Sequence, residues 1–142
     1  MKQVDVLCVD DNADFRLFMG RAFAKLPEEV SYHFEENGSA ALTALTGDTG
    51  LRCVPRIILL DLNMPGLSGF DVLREIRSHA SWRHIPIIVL SSSTSGKDIE
   101  QAQMLGANAY MTKPSTMSEL RSALESTCRF WLKYHLHPTR WN

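Results

Sequence analysis

The sequence predicts an α/β fold, a doubly wound parallel sheet of five strands with helices on both faces. Five short apolar runs alternate with five stretches of helical periodicity along the 142 residues, which is the pattern of a repeated strand–helix unit. Residues 57–60 form a continuous apolar run too short for a helix, as expected of a strand buried on both faces. The connecting loops are short, so right-handed crossovers leave few topologies open.

The first half of the chain supplies two strands and two helices. Residues 4–9 form the first predicted strand, and apolar residues at steps of three and four then predict a helix that Pro27 closes. The apolar positions of this helix are Phe15, Phe18, Met19, Ala22, Phe23 and Leu26. A more polar strand is expected at 30–34, near an edge of the sheet, and a short helix at 39–45.

The second half supplies three strands and three helices. The strand at 56–61 ends on Asp61, and the turn at 64–66 takes the chain out of the sheet. Two further strands are predicted at 86–90 and 109–112. Each of the three helices begins with a hydroxyl residue followed three positions later by an acidic residue, the pattern of a capping box. The pairs are Ser68 with Asp71, Ser95 with Asp98, and Thr116 with Glu119.

Composition excludes several classes of protein. A formal net charge of -1 and a pI near 6.5 argue against a domain built to bind nucleic acid directly. The N-terminus does not have the pattern of a signal peptide, and no apolar stretch reaches the roughly 20 residues that span a bilayer. Three scattered cysteines fit neither a disulfide framework nor a zinc site. We therefore expect a cytoplasmic protein that forms one domain over residues 1–142.

Polar residues that can do chemistry collect where the predicted strands end. Asp10 and Asp11 follow the first strand, Asp61 ends the third, Ser91 follows the fourth and Lys113 follows the fifth. These ends lie along one edge of a parallel sheet, so the side chains should converge on one crevice. Each residue alone also fits a helix cap or a polar loop. Together, however, they form an unusual set.

The convergence of these residues predicts a metal ion and a phosphoryl group. Three close carboxylates repel one another unless a cation compensates, and oxygen ligands without histidine or cysteine favour Mg²⁺. A lysine and a serine hydroxyl can hold phosphate oxygens. An aspartate among them could accept phosphoryl as an acyl phosphate.

Five motifs carry a resemblance to a known family. They are Val9-Asp10-Asp11-Asn12, Leu60-Asp61-Leu62-Asn63-Met64-Pro65-Gly66, Ile88-Val89-Leu90-Ser91, Leu105-Gly106-Ala107 and Tyr110-Met111-Thr112-Lys113-Pro114. With these motifs the chain resembles the receiver domain of two-component response regulators over residues 3 to 127. The resemblance implies the flavodoxin-like (βα)5 receiver fold with strand order 2-1-3-4-5.

The resemblance also implies a role for each residue of the site. Asp61 would be the phosphoacceptor, and Lys113 would pair with the phosphoryl group. Mg²⁺ would be bound directly by Asp11, Asp61 and the backbone carbonyl of Asn63, while Asp10 would act largely through water.

A second group of residues would transmit the signal. Ser91 stands where the family has a switch threonine or serine that moves to bond the phosphoryl oxygen. Tyr110 matches the aromatic residue whose rotamer follows that switch. The bond between Lys113 and Pro114 is expected to be cis, again by resemblance.

These roles imply a phosphorylation-activated response regulator of a two-component phosphorelay. It would accept phosphoryl from a sensor histidine kinase or a histidine phosphotransfer protein. The alternative is a degenerate receiver that binds partners without phosphorylation. A phosphatase or mutase with an aspartate nucleophile commonly has a second aspartate two residues later, and here that position is Asn63. We therefore expect no enzyme that acts on an outside substrate.

The tail at 128–142 is unusually aromatic. Only about fifteen residues follow the usual end of a receiver, too few for an output domain, so we expect signalling to a downstream protein by direct contact. The tail could extend the last helix, whose inward stripe would be Leu120, Leu124, Thr127, Trp131 and Tyr134. Alternatively, exposed aromatic residues could form a partner or homodimer surface.

Three further expectations concern a homodimer, the partner kinase and the last two histidines. A homodimer could also form through the face of the fourth helix, fifth strand and fifth helix. The aromatic end resembles small regulators that pair with phytochrome-type sensor kinases. His135 and His137 are spaced wrongly for a metal pair on one helix face and are expected at the surface.

Overall fold

The computed structural model describes residues 2–47 and 53–137, and it contains the predicted sheet. Five parallel strands pair in the order β2-β1-β3-β4-β5, which confirms both the fold class and the strand order. The strands are β1 Lys2–Val9, β2 Tyr32–Glu35, β3 Cys53–Leu60, β4 Ile87–Ser91 and β5 Ala109–Thr112.

Five helices alternate with these strands, and their side-chain caps are largely those that the sequence predicts. The helices are α1 Ala13–Ala24, α2 Gly38–Thr46, α3 Gly69–Ser78, α4 Gly96–Met104 and α5 Met117–Cys128. Ser68 and Asp71 form a capping box in which each side chain bonds the other residue's backbone N–H. Ser95 and Thr116 cap α4 and α5 through their hydroxyl oxygens. The helix starts are therefore set locally.

The continuous apolar run of β3 is explained by two core layers, one on each face of the sheet. Ile58 and Leu60 belong to one layer, and Ile57 and Leu59 belong to the other. All four are at most 2% exposed. Because alternate side chains of a strand point to opposite faces, a strand buried on both faces needs apolar residues at every position.

Several strand boundaries differ from the sequence-based prediction, and backbone pairing explains the differences. β3 starts at Cys53 rather than at residue 56 because it pairs with β1 from Lys2 onward. β2 begins at Tyr32, two residues later than predicted. Just before it, Ser31 exchanges two hydrogen bonds with Asp5, 2.8 and 3.0 Å long. The ladder to β1 then starts at Tyr32.

The expectation of a cis bond before Pro114 is wrong. The described residues contain no cis peptide bond, so Lys113 and Pro114 are joined in the trans form. The trans form is the lower in free energy for most bonds that precede proline.

The end of the described chain is a π-helical segment, Arg129–Tyr134, that continues from α5. Trp131 is half-buried against the core, whereas Tyr134 is 62% exposed, so the predicted inward stripe ends at Trp131. The guanidinium of Arg56 on β3 donates a hydrogen bond to the carbonyl oxygen of Leu132, which ties this segment to the sheet.

The two histidines that follow are half-buried rather than fully at the surface, so that expectation is only partly right. The ring of His135 lies 4.9 Å from the rings of both Trp131 and His137. Within the ranges 2–47 and 53–137, no helix combines the length and the apolar character needed to cross a bilayer. The last five positions of the predicted tail, 138–142, lie outside the described residues.

Candidate functional site

The site is built where β1, β3, β4 and β5 end on the same edge of the sheet. Asp10, Asp61 and Lys113 each come directly after a strand, and Ser91 is the last residue of β4. The parallel hydrogen bonding continues one residue past the strands, with Asp61 N–H donating to the carbonyl of Val9 at 3.0 Å and Lys113 N–H to that of Ser91 at 2.9 Å. Backbone pairing therefore fixes where these side chains leave the sheet.

Three of the predicted residues form an acidic cluster. Carboxylate oxygens of Asp10, Asp11 and Asp61 all lie within 4.8 Å of one another. Asp10 and Asp61 are each only 5% exposed, whereas Asp11 is exposed. The sequence-based expectation that carboxylates from two distant strands converge is therefore correct.

The donor set of this cluster fits Mg²⁺. All three side chains offer oxygen, and a hard divalent cation prefers oxygen ligands. The exposed position of Asp11 leaves the cluster open on one side, where water can complete an octahedral coordination shell. Asp10, Asp11 and Asp61 are the residues that would hold the ion.

Lys113 supplies a positive charge next to the two buried carboxylates. Its ammonium lies 2.8 Å from Asp10 Oδ2 and 3.6 Å from Asp61 Oδ2, and its side chain is only 13% exposed. The same ammonium lies over the ring of Phe15, 4.4 Å from the ring centroid. Lys113 is therefore held next to Asp61, where it can pair with an added phosphoryl group.

Backbone N–H groups hold the two buried carboxylates. Asp10 Oδ1 accepts a hydrogen bond from Asn12 N–H at 2.9 Å, and Asp61 Oδ1 accepts one from Asn63 N–H at 3.4 Å. The side chain of Asn63 is exposed. Asn63 thus borders the cluster through its backbone, and the role of its carbonyl as a metal ligand stays a prediction.

The electrostatic balance of the cluster disfavours an ionised Asp61. Burial raises the pKa of the Asp61 carboxyl above its usual value, and the charges of Asp10 and Asp11 add to this effect. The Lys113 ammonium and the hydrogen bond from Asn63 N–H lower the pKa and oppose the rise only in part. A divalent cation among the three carboxylates would favour the charged form of Asp61.

Ser91 and Tyr110, the two predicted switch residues, are joined through Ser93. Ser91 is fully buried, and its Oγ accepts a hydrogen bond from the N–H of Ser93 at 3.2 Å. The hydroxyl of Tyr110 donates a 2.9 Å bond to the carbonyl oxygen of Ser93. Ser93 Oγ in turn donates to Asp98 in the first turn of α4 at 2.6 Å. Sequence reasoning missed Ser93 because a run of three serines does not show which one makes these contacts.

Two residues of α1 also border the site and were predicted only as helix positions. Arg16 Nη1 donates to the carbonyl oxygen of Asp10 at 2.7 Å, and Phe15 contacts Lys113 as described above. Helical side chains lean toward the N-terminus of their helix. A helix that starts directly after an acidic pair therefore turns residues of its first turn back toward that pair, and this signal was available in the sequence.

Gly69 is needed by the backbone around Asp61. A Cβ at position 69 would lie 2.3 Å from the carbonyl oxygen of Asp61 and 2.6 Å from Leu62 Cα. The N–H of Gly69 donates to the carbonyl of Leu62 at 2.9 Å, so α3 begins in direct contact with the end of β3. Any side chain here would displace the loop that carries Asp61.

Comparisons with known proteins agree with this geometry. The family model of the response regulator receiver domain matches residues 6–125. The probable methanogenesis regulatory protein FilR2 of Methanothrix harundinacea is 34% identical over 134 residues, which cover 94% of this chain and 86% of FilR2.

Two solved structures are similar over nearly the whole chain. The phosphorylated cyanobacterial phytochrome response regulator RcpA matches with a TM-score of 0.87 and 29% identity, covering 97% of this chain and 100% of that one. The Mn²⁺-bound form of response regulator Rcp1 matches with a TM-score of 0.84 and 26% identity, covering 96% and 99%. With a family model that spans most of its length, this chain belongs to the response regulator receiver domain family of two-component signal transduction.

Proposed function

We propose that this receiver is switched by phosphorylation of Asp61, with phosphoryl taken from the phosphohistidine of a sensor kinase or a phosphotransfer protein. The proposal rests on the groups that surround the Asp61 carboxylate. Its carboxylate lies in a cluster with Asp10 and Asp11 and 3.6 Å from the ammonium of Lys113. These are the parts that acyl phosphate formation requires.

The transfer converts one carboxylate into a mixed anhydride. A carboxylate oxygen of Asp61 attacks the phosphorus, the phosphorus–nitrogen bond breaks, and the electron pair leaves with the imidazole, which takes up a proton. Lys113 pairs with the charge on the transferred group. Mg²⁺ would be held by Asp11, Asp61 and the carbonyl of Asn63, with Asp10 acting largely through water, and it would supply further positive charge for phosphoryl oxygens. The chain modifies only itself and is no enzyme toward an outside substrate.

The signal leaves through the face formed by α4, β5 and α5. The Ser91 hydroxyl moves toward the phosphoryl group, and the hydrogen bond that it accepts from the N–H of Ser93 breaks. Tyr110 senses that change because its hydroxyl is bonded to the carbonyl of the same Ser93. A phosphoryl group shifts this equilibrium only by binding the two arrangements with different affinity. A downstream protein would read the altered face by direct contact.

The proposed phosphoryl donor is a phytochrome-type sensor kinase. The support is the likeness to RcpA, which covers 97% of this chain.

A second copy of the chain is the further partner that we propose, through the exposed apolar residues of the last segment. Phe130, Tyr134 and Leu136 are 51%, 62% and 89% exposed. Replacing Tyr134 and Leu136 with serine should then lower the mass measured by light scattering from dimer to monomer, whereas Leu17→Ser on α1 should not.

Intact mass after incubation with acetyl phosphate and Mg²⁺ tests the switch. The wild type should gain one phosphoryl group of roughly 80 Da. Asp61→Asn, or omission of Mg²⁺, should abolish the gain. Asp71→Asn is the matched control, since Asp71 caps α3 and does not belong to the acidic cluster, and it should keep the gain.

An absent gain in the wild type has two explanations that a second measurement separates. Beryllofluoride mimics phosphoryl on an aspartate and does not hydrolyse. A spectral change with beryllofluoride and Mg²⁺ would indicate that the phosphoryl form is made and lost quickly. An unchanged spectrum would contradict the proposal, and the phosphorylation-independent binding module would then be the remaining function.

A further inference from the structure

Among residues 2–47 and 53–137, the ammonium of Lys113 has two carboxylate partners and one aromatic partner. It lies 2.8 Å from Asp10 Oδ2, 3.6 Å from Asp61 Oδ2 and 4.4 Å from the centroid of the Phe15 ring. A cation within about 6 Å of a ring centroid and over its face is attracted by the negative face of the π system. The interaction strengthens when water is excluded, and the Lys113 side chain is only 13% exposed.

The position of the Phe15 ring is determined independently of Lys113. The N–H of Phe15 donates to the cap residue Asn12 at 3.0 Å, which places Phe15 in the first turn of α1. The ring of Phe18 lies 6.3 Å away and is tilted by 51°, so it is a neighbour of Phe15 but is not stacked on it. Phe15 also lines, with Asp10 and Asp61, a small cavity of about 10 Å³. The ring therefore meets the acidic cluster from a fixed point of the helix.

The two carboxylates do not hold the ammonium equally. Lys113 lies 0.8 Å closer to Asp10 than to Asp61, taking the difference of 3.6 and 2.8 Å, and its flexible stem would let it settle on Asp10 alone. A ring face attracts a cation without the directionality of a hydrogen bond. It can thus retain the ammonium while it shifts from Asp10 toward a group added to Asp61.

We propose that Phe15 is a positioning residue whose ring face holds the Lys113 ammonium within reach of Asp61. The consequence for phosphoryl transfer rests on the proposed function, whereas the placement of Lys113 does not. An apolar residue of similar size should support the helix but not the ammonium. A second aromatic ring at the same position should do both.

Four proteins make the test: the wild type, Phe15→Leu, Phe15→Tyr and Phe18→Leu. Leucine keeps the apolar bulk and removes the ring, tyrosine keeps the ring, and Phe18→Leu removes the neighbouring ring that does not lie over Lys113. Thermal melting establishes that each is folded, and Phe15→Met replaces Phe15→Leu should leucine prevent folding.

The first readout is the NMR shift of the Lys113 ε-methylene protons in metal-free protein. Protons over a ring face are shifted upfield, so the shift should be present in the wild type, Phe15→Tyr and Phe18→Leu and absent in Phe15→Leu. An unshifted resonance in the wild type, or a shift that persists in Phe15→Leu, would overturn the placement of Lys113 by the ring.

The second readout is the rate of Asp61 phosphorylation by acetyl phosphate with Mg²⁺. Phe15→Leu should be slower by about tenfold, whereas Phe15→Tyr and Phe18→Leu should stay close to the wild type. Equal slowing in Phe15→Tyr and Phe15→Leu would contradict the inference, because a merely structural role would not be rescued by a ring. A wild type that is not phosphorylated would refute the proposed function, and the NMR result would still decide the role of Phe15.

Discussion

The hydroxyl of Tyr110 on β5 donates a 2.9 Å hydrogen bond to the backbone carbonyl of Ser93, seventeen positions earlier in the loop between β4 and α4. The backbone N–H of the same Ser93 donates a 3.2 Å hydrogen bond to Ser91 Oγ. The side chain of Ser93 reaches Asp98 in α4. One loop residue thus connects the end of β4, β5 and the start of α4.

Removing the Tyr110 hydroxyl should loosen this loop without unfolding the protein. Tyr110→Phe keeps the half-buried ring and leaves the Ser93 carbonyl without that donor, so the free energy of unfolding should fall by about 1 kcal/mol. Amide hydrogen exchange of the loop and the first turn of α4 should become faster, while that of β1 and β3 should not. Unchanged exchange in this loop would show that the Tyr110 bond does not restrain α4.

Ser91 should couple phosphorylation to partner binding. Ser91→Ala removes the hydroxyl that we expect to move toward the phosphoryl group, but it leaves Asp61 and Lys113 in place. Phosphorylation should therefore still occur, while the difference in partner binding between the phosphorylated and unphosphorylated forms should shrink. A neighbouring substitution, Ser92→Ala, is the control because Ser92 is exposed. If Ser91→Ala kept the full difference, the proposed coupling would be wrong.

Asp61→Asn should stabilise the metal-free protein at neutral pH. Burial raises the pKa of Asp61 in the folded protein above the 3.8 of the unfolded chain. A raised acid pKa means that the folded state disfavours the ionised form of Asp61. The contribution of Asp61 to the free energy of unfolding is therefore fully present below the pKa of the unfolded chain, and it is lost as pH rises through the pKa of the folded protein. Asparagine cannot ionise, so the free energy of unfolding of the variant does not fall for this reason as the pH rises.

Urea unfolding in a metal chelator at several pH values measures the effect. The variant and the wild type should converge in free energy of unfolding near and below pH 4, and the variant should be the more stable at pH 7. Added Mg²⁺ should narrow the difference because it binds the folded wild type more tightly than the variant. A variant less stable than the wild type at pH 7 without metal would contradict the direction of the pKa shift.

Removing the Lys113 charge should strengthen Mg²⁺ binding while it impairs phosphorylation. The ammonium lies 2.8 Å from Asp10 and competes with a metal ion for the same carboxylate cluster. Lys113→Met should bind Mg²⁺ more tightly, by about fivefold or more, as measured by calorimetric titration. Phosphorylation by acetyl phosphate should slow in the same protein. Weaker Mg²⁺ binding in Lys113→Met would show that Lys113 organises the carboxylates more than it repels the ion.

Arg77 should be a large contributor to the stability of the corner between α4 and β5. Its guanidinium donates to the carbonyls of Gly106 at 2.9 Å and Ile85 at 2.9 Å, and to Asn108 Oδ1 at 2.8 Å. Gly106 has φ of 104°, and a Cβ there would lie 2.8 Å from Arg77 Nε. The guanidinium thus occupies the space that this glycine leaves open.

Arg77→Lys keeps the charge and loses most of the fork of donors. We expect the free energy of unfolding to fall by about 2 kcal/mol, because the carbonyls of Gly106 and Ile85 lose a charged donor in partly buried hydrogen bonds. The matched control is Arg74→Lys, one turn earlier on α3, where the side chain is 57% exposed and makes one ion pair with Asp71. It should remain close to the wild type. If the two substitutions lowered the free energy of unfolding in urea equally, the hydrogen bonds of Arg77 would not stabilise the fold more than the exposed ion pair of Arg74.

Local sequence signals predicted the elements and most of the site. Asp10, Asp61 and Lys113 were assigned to strand ends, and their convergence follows from the rule that parallel strands end on one edge of a sheet. The cap at Ser68 was predicted because its interaction with Asp71 spans only three residues. Strand boundaries such as Cys53 were missed because they depend on the partner strand.

The sequence by itself determined the sheet, its helices and which residues meet at the acidic edge, because periodicity, caps and strand ends are short-range patterns. Only the tertiary structure decided what lies around those residues. Phe15 was predicted as one more apolar position of α1, and no role was predicted for Ser93. Their contacts with Lys113 and Tyr110 span 98 and 17 positions, respectively, counted as the differences 113 − 15 and 110 − 93. The start of α1 directly after the acidic pair indicates that Phe15 lies near that pair. Which side chains Phe15 and Ser93 contact depends on how a helix or loop packs against another strand, and no local pattern encodes that packing.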